Sequence, residues 1–201
     1  MYTIHADGEL LYAPNEPALA VLNPRLSLNI DQAGRLSFIL PPSHPRGNRL
    51  EKMKTILTVE QDGVELFRGR IITEETDYYK QRSIECEGER AFLIDSIQRP
   101  YTFEGTAEGL LRQLVAVHNT QVGEDKRFAV GTVSATRAQE TVSVENDSYT
   151  TTSTEIEQRI LNVYGGHLRT RGQDGQRFID WIQSGATSQQ EIRFSVNLLD
   201  L

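Results

Sequence analysis

The sequence contains a single cysteine, Cys86. No intrachain disulfide can form and no cysteine-based zinc site can assemble, which fits a reducing compartment. No apolar run approaches the roughly 20 residues needed to cross a bilayer. The start, Met1 to Asp7, lacks the basic opening and apolar stretch of a signal peptide. The expectation is a chain that folds in the cytoplasm without membrane insertion. Catalytic signatures are equally scarce: there is no Gly-x-Ser-x-Gly elbow, Walker-type loop, Rossmann fingerprint, HExxH or His-x-His spacing. The four histidines, His5, His44, His118 and His167, fall on separate predicted elements. The reading is therefore a non-enzyme with no catalytic, cofactor-binding or metal-binding residue to name. Basic charge is also in deficit, 21 Lys and Arg against 28 Asp and Glu for a net −7, which argues against a surface built to neutralise DNA phosphates.

What is present is ordinary globular material, 38% hydrophobic and 24% charged over 201 residues, enough apolar side chain for a core. The first hundred residues read as strands and turns. Met1 to Ala6 and Glu9 to Tyr12 flank Asp7-Gly8, a dipeptide suited to the positive φ angles of a type I′ turn. Leu26, Leu28 and Ile30 alternate with polar residues, as do Leu36, Phe38 and Leu40, each set predicting a strand with one buried face. Pro41-Pro42 ends the second. Residues 43 to 52 read as a loop. Thr55 to Glu60, the turn Gln61 to Val64, Glu65 to Glu74 and Arg82 to Glu89 then form a meander of long hairpins.

Near residue 100 the texture changes. Leu110, Leu111, Leu114, Val115 and His118 recur at helical spacing, with Thr106 as N-cap and an end near Asn119. After β-like stretches at Phe128 to Val133 and Thr141 to Val144 comes a second helix. Thr152 and Glu155 are its capping-box pair, Ile156, Ile160, Leu161 and Val163 its apolar stripe, and Gly165-Gly166 its terminator. Leu168 to Thr170 and Arg177 to Ile182 flank a third Asp-Gly turn, and Ile192 to Leu199 is strand-like. The apolar ending at Leu201 reads as a cut from a longer protein. Two domains are expected, 1–100 and 101–201, with Asp95 to Tyr101 as the joint, stiffened by Pro100; a subunit contact is the other reading of that segment.

Several clusters invite chemistry. Glu85, Glu87 and Glu89 share one face of a predicted strand. They read either as a metal, general-base or glycosidase-like set or as a solvated stripe with Ile84, Cys86 and Gly88 turned inward; exposed charge is the normal state of glutamate, so the stripe is expected. Glu74, Glu75 and Asp77 are read the same way. Cys86, between two glutamates, is expected to be a core residue, since neighbouring carboxylates disfavour the thiolate. His118 is expected to meet the last carbonyls of its helix. Arg169 and Arg171, near Arg177, suit a phosphate or a partner's carboxylate, with cross-strand pairing to local acids the commoner outcome. Trp181 beside Phe178 and Ile179 suits a carbohydrate platform, though one tryptophan in a strand is usually core.

The order of these elements, and several strings, resemble the minor structural or tail-associated baseplate-hub proteins of siphophages and prophages. The matching stretches are Leu36-Ser37-Phe38-Ile39-Leu40-Pro41-Pro42-Ser43-His44-Pro45, Val64-Glu65-Leu66-Phe67-Arg68-Gly69-Arg70, and the run from Cys86 to Tyr101. Val117 to Val122, Gly165 to Arg169, and Asn197 to Leu201 continue the match. The resemblance implies an α+β fold, mainly antiparallel β: a tube-type β-barrel domain followed by a smaller α/β domain with two helices. It also implies relatedness to contractile-tail hubs and type VI secretion spikes. Expected with it are a homotrimer at the virion tail tip and contacts to tail-tube and distal tail proteins. A downstream tail-fibre or lytic module and a lumen through which DNA passes without specific binding complete the expectation. The competing readings from other classes are a tail-borne peptidoglycan-degrading enzyme and a cell-surface carbohydrate-binding module.

Overall fold

The computed structural model describes residues 1–30 and 32–183. Seven strands form one antiparallel sheet: β1 (Tyr2–Ala6), β2 (Glu9–Tyr12), β3 (Leu22–Ser27), β4 (Arg35–Leu40), β5 (Ile56–Gln61), β6 (Val64–Thr76) and β7 (Arg82–Gly88). Their order is β2-β1-β5-β6-β7-β4-β3. The sheet curls as a half-barrel, and β2 and β3 end it without pairing to each other. The Asp-Gly turns sit where the sequence puts them, at Asp7-Gly8 (φ 49° and 81°) and Asp62-Gly63 (φ 51° and 80°). Both residues of a type I′ turn need positive φ, and the twist of that turn matches the strands it joins.

Alternation decides which face is buried. Leu36, Phe38 and Leu40 of β4 pair with β7, whose Ile84 and Cys86 point the same way, and all five are buried. With Leu57, Val59, Phe67 and Ile71 they form one hydrophobic cluster. The set Leu26, Leu28, Ile30 does not behave as predicted. β3 stops at Ser27, Leu26 is only partly buried, and Leu28 and Ile30 are 51% and 66% exposed. Leu28 and Ile30 lie past the end of β3, and no packed layer among the described residues covers their alternating side chains.

Past β7 the chain tightens into a 3₁₀ helix (Glu89–Asp95) and continues through β8 (Ile97–Gln98), β9 (Tyr101–Thr106) and α1 (Ala107–Asn119). Thr106 caps α1 as expected, its side chain accepting from the Gly109 amide at 3.1 Å. Beyond lie β10 (Ala129–Val133), β11 (Thr141–Asn146) and β12 (Thr150–Thr151). The second helix is composite: α2 (Thr152–Ile156), a π turn (Glu157–Leu161) and α3 (Asn162–Tyr164). Its cap lies one residue earlier than predicted, Thr151 accepting from the Thr154 amide at 3.1 Å. The π turn carries an extra residue per turn and rotates the helical residues after it. Tyr164 is thus buried against Trp181, ring centroids 6.5 Å apart, while the predicted stripe residue Val163 is 48% exposed.

Gly165 and Gly166, both at positive φ, end the helix. β13 (His167–Gln173) and β14 (Gln176–Ile182) then form a hairpin about Asp174-Gly175, with β10 added parallel to β14. A second cluster of buried side chains, from Phe92 to Trp181, fills the space between this sheet and the helices. The predicted strand Ile192 to Leu199 and the stretch Asn197 to Leu201 lie outside the described residues.

Candidate functional site

The densest polar constellation is a charged seam where the seven-stranded sheet meets the elements after it. Two glycines beside it let the backbone of the sheet close up. A Cβ on Gly69 would lie 2.1 Å from the Glu87 carbonyl oxygen, and one on Gly88 only 1.6 Å from that of Ala33. At Gly88 the strand ends, so Glu89 does not continue the stripe of Glu85 and Glu87 as predicted; it turns inward and is 3% exposed. The three glutamates separate: Glu85 is exposed on β7, Glu87 is half-buried, and Glu89 is enclosed.

Each carboxylate of the seam meets guanidinium groups. Arg68 reaches Glu89 at 3.1 Å, and Arg177 of β14 donates from Nε to the same carboxylate at 2.9 Å while its Nη2 holds Glu65 at 2.7 Å. Arg70, 4% exposed, forks onto Asp95, with Nη2 to Oδ1 at 2.8 Å, and its Nε donates to Glu87 at 2.8 Å. Lys126 joins Asp95 at 2.9 Å. Burial works against the Asp95 charge, but the hydrogen bonds from Arg70 and Lys126 outweigh it and hold the carboxyl below its ordinary value. The ring of Phe92 lies under three of these cations, Arg70, Arg68 and Lys126, at 5.2, 5.8 and 5.9 Å. Bidentate, partly buried ion pairs of this kind fix geometry. They leave Glu87, Glu89 and Asp95 each paired with a cation.

A second network is wholly buried. The His118 side chain does not meet the end of its own helix as predicted. Its Nε2 donates to the Lys126 carbonyl at 3.0 Å, so Nδ1 accepts from the Ser96 hydroxyl at 2.7 Å. Ser96 Oγ accepts in turn from Thr152, 2.6 Å away, and Thr152 Oγ accepts from Gln98 Nε2 at 2.7 Å. Burial holds His118 below the ordinary imidazole value. A serine on a histidine has the look of a nucleophile and base, but Ser96, His118 and Thr152 are each 0% exposed, and the second ring nitrogen faces a carbonyl instead of an orienting carboxylate. The pair ties β8, α1 and α2 together. The segment Asp95 to Tyr101 is accordingly anchored at Asp95, Ser96 and Gln98, through partners too distant along the chain for any local pattern to announce.

Other residues singled out from sequence settle into structural places. Cys86 is 1% exposed, and burial, with Glu85 second, pushes its thiol far up. Glu74 pairs with Arg82 at 2.8 Å, and Asp77 accepts from the Gln81 amide within its own turn at 2.8 Å. His44 is buried on the Leu11 carbonyl at 3.1 Å. Arg169 and Arg171 both bind Asp180 across the hairpin at 2.8 Å. Trp181 is 0% exposed, its indole N–H on the Gly165 carbonyl at 2.9 Å, which removes it from any sugar-binding surface. Among the described residues no group of three His, Cys, Asp or Glu side chains is placed to hold a metal, and no helix is long and apolar enough to cross a membrane.

No protein-family profile matches the sequence, and no curated protein matches it. Solved structures do. A tail protein from Neisseria meningitidis superposes with a TM-score of 0.62 at 14% identity, covering 89% of this chain and 50% of that one. The 43 kDa tail protein of prophage MuSo2 from Shewanella oneidensis gives 0.58 at 15%, covering 89% and 53%. Prophage tail protein gp18 from Listeria monocytogenes gives 0.57 at 16%, covering 86% and 48%. The chain spans about half the length of these proteins. With its half-barrel sheet and the helices and hairpin packed after it, the chain has a fold found within phage and prophage tail proteins.

Proposed function

We propose that the chain is a non-catalytic structural component of a phage tail tip, a baseplate hub that trimerises, caps the tail tube and anchors tail-tip modules for host attachment and DNA delivery. The observation that carries this reading is the likeness over nearly nine-tenths of the chain to tail proteins from three bacteria at 14–16% identity. Three further features support it. A net charge of −7 per copy suits a lumen along which DNA slides without sticking. The seam welds the sheet to the following elements with ion pairs, as a rigid assembly block requires. The Ser96 and His118 pair and the Cys86 thiol are sealed from solvent. In this reading residues 1–100 are the tube-type unit and 101–201 the smaller unit, with tail-tube and distal tail proteins as neighbours at the virion tail tip.

The test is the assembly state. Light scattering on the purified chain is expected to show the three-copy mass, and averaged electron micrographs a three-fold ring with an open centre. A monomer at every concentration with no ring, found both for this chain and for a longer protein that contains it, overturns trimerisation. Clearing of peptidoglycan in a zymogram, lost on heat denaturation, overturns the non-enzymatic reading.

A further inference from the structure

Exposed strand edges template pairing with other chains, and proteins blunt the edges they do not use. Of the four end strands in the two larger sheets, three are blunted. β2 is four residues long, and its Leu10 and Leu11 carbonyls are covered by Arg46 and His44, the latter at 3.1 Å. β3 carries Pro24, a left-handed Asn23 (φ 49°) and a register shift between Leu22 and Arg25. β10 has its own register shift, its Val130 carbonyl taken by Arg112 at 3.3 Å and its Thr132 amide by Asp180 at 2.7 Å.

β13 differs. It pairs with β14 in unbroken register from His167 to Gln173, holds no proline, and has no second strand neighbour among the described residues. The two-residue turn at Asp174-Gly175 makes Gln173 and Gln176 a hydrogen-bonded pair. By alternation the amides and carbonyls of Gly172, Thr170 and Leu168 therefore point away from β14. These three residues line a groove of about 740 Å³ that exposed Leu28, Ile30 and Val64 also line.

We infer that the outer edge of β13 is a strand-docking site for a separate polypeptide, an extended segment with apolar side chains at alternate positions and carboxylates between them. The apolar positions meet the wall of Leu28, Ile30 and Val64. The carboxylates follow from charge. Arg169 and Arg171 stand on one face with a single carboxylate, Asp180, between them, and the Arg169 side chain is 58% exposed. Two copies of β13 do not satisfy this, because the central antiparallel registers that keep Leu168 and Thr170 on the core side set arginine opposite arginine, and like charges there repel. The chain's own alternating run from Ile192 to Leu198 offers Arg193, Ser195 and Asn197 at the intervening positions, with no acid. The inference rests on β13 and its groove alone, so failure of the ring test leaves it intact, and its own failure leaves the tail-tip reading intact.

The probes are two blocked peptides of about eight residues, a usual strand length, one alternating valine with glutamate and the other valine with lysine, added to the full chain. Amide exchange is followed by NMR and affinity by calorimetry. The glutamate peptide is expected to bind and to protect the amides of Leu168, Thr170 and Gly172. Thr170→Pro removes an outward donor at a position where proline spares the β13–β14 ladder, and is expected to weaken binding at least tenfold. Arg169→Glu is expected to reverse the preference between peptides, and it decides the matter alone should Thr170→Pro not fold. Equal binding of the lysine peptide, an unchanged preference in Arg169→Glu, or undiminished binding by folded Thr170→Pro overturns the inference. So does finding those three amides as protected in the free chain as their inward neighbours Arg169 and Arg171, which would show that the chain covers its own edge.

Discussion

Replacing Glu89 with glutamine probes whether the seam holds the molecule together. The side chain is 3% exposed and is the shared acceptor of Arg68 and Arg177, themselves 13% and 14% exposed. Glutamine keeps the volume and one acceptor but removes the charge, leaving two nearly buried guanidinium groups facing a neutral amide. Removing one partner of a buried ion pair costs about 3–5 kcal/mol, because the remaining charge stays desolvated without compensation. Two features place this case at the lower end: Arg177 keeps Glu65 at 2.7 Å, and Arg68 keeps the Asp125 carbonyl at 2.9 Å.

A loss of about 3 kcal/mol corresponds to a fall in Tm of about 6–12 °C for a chain of this size, read by thermal and urea unfolding with Trp181 fluorescence. The internal control is Glu85→Gln, four residues earlier at an exposed position of β7, expected to change stability by no more than about 0.5 kcal/mol. If the two substitutions cost the same, or Glu89→Gln costs less than about 1 kcal/mol, the seam is ornamental and does not weld the sheet to the elements after it.

Protonating His118 puts one proton too many into the Ser96–Thr152–Gln98 chain. Its folded-state value is depressed by burial, so the unfolded chain binds the proton first. Stability is therefore full above the ordinary imidazole value of about 6.5 and falls as pH drops below it; urea midpoints from pH 8 to 5 test this, and Ser96→Ala should cost about 1–3 kcal/mol by stranding a buried donor. Gly88→Ala forces a methyl onto the Ala33 carbonyl and should cost about 3 kcal/mol or abolish folding, whereas Gly63→Ala, in open space at φ 80°, should cost only about 1–2 kcal/mol. The Cys86 thiol should resist a disulfide reagent in the native state and react only as fast as the protein opens, since it is buried with its thiolate disfavoured; fast native labelling would contradict the packing described.

The three Asp-Gly turns, the Thr106 cap and the buried set Leu36, Phe38, Leu40 are legible in the sequence because each depends on residues a few positions apart. Trp181 as a core residue, and Arg169 and Arg171 as partners of a local acid, are legible for a related reason: a hairpin brings Asp180 opposite Arg169 by register alone. The departures are all nonlocal. Leu28 and Ile30 alternate correctly but find no covering layer. Thr152 has the sequence of a cap, yet its hydroxyl is taken by Ser96 and Gln98 more than fifty residues away, leaving the cap to Thr151. The π turn that turns Val163 outward has no signature in composition.

The sequence by itself determined the hairpins, the helices and the polarity of most strand faces, because periodicity and turn chemistry act within the reach of one element. Only the tertiary structure decided that Glu89 leaves the stripe of Glu85 to meet Arg177, that His118 closes a buried hydroxyl chain, and that among the described residues β13 rather than the edges of the larger sheet has an unblunted outer edge. Charge pairing and edge coverage depend on which distant segments become neighbours, and burial then turns an ordinary glutamate or histidine into a structural tie.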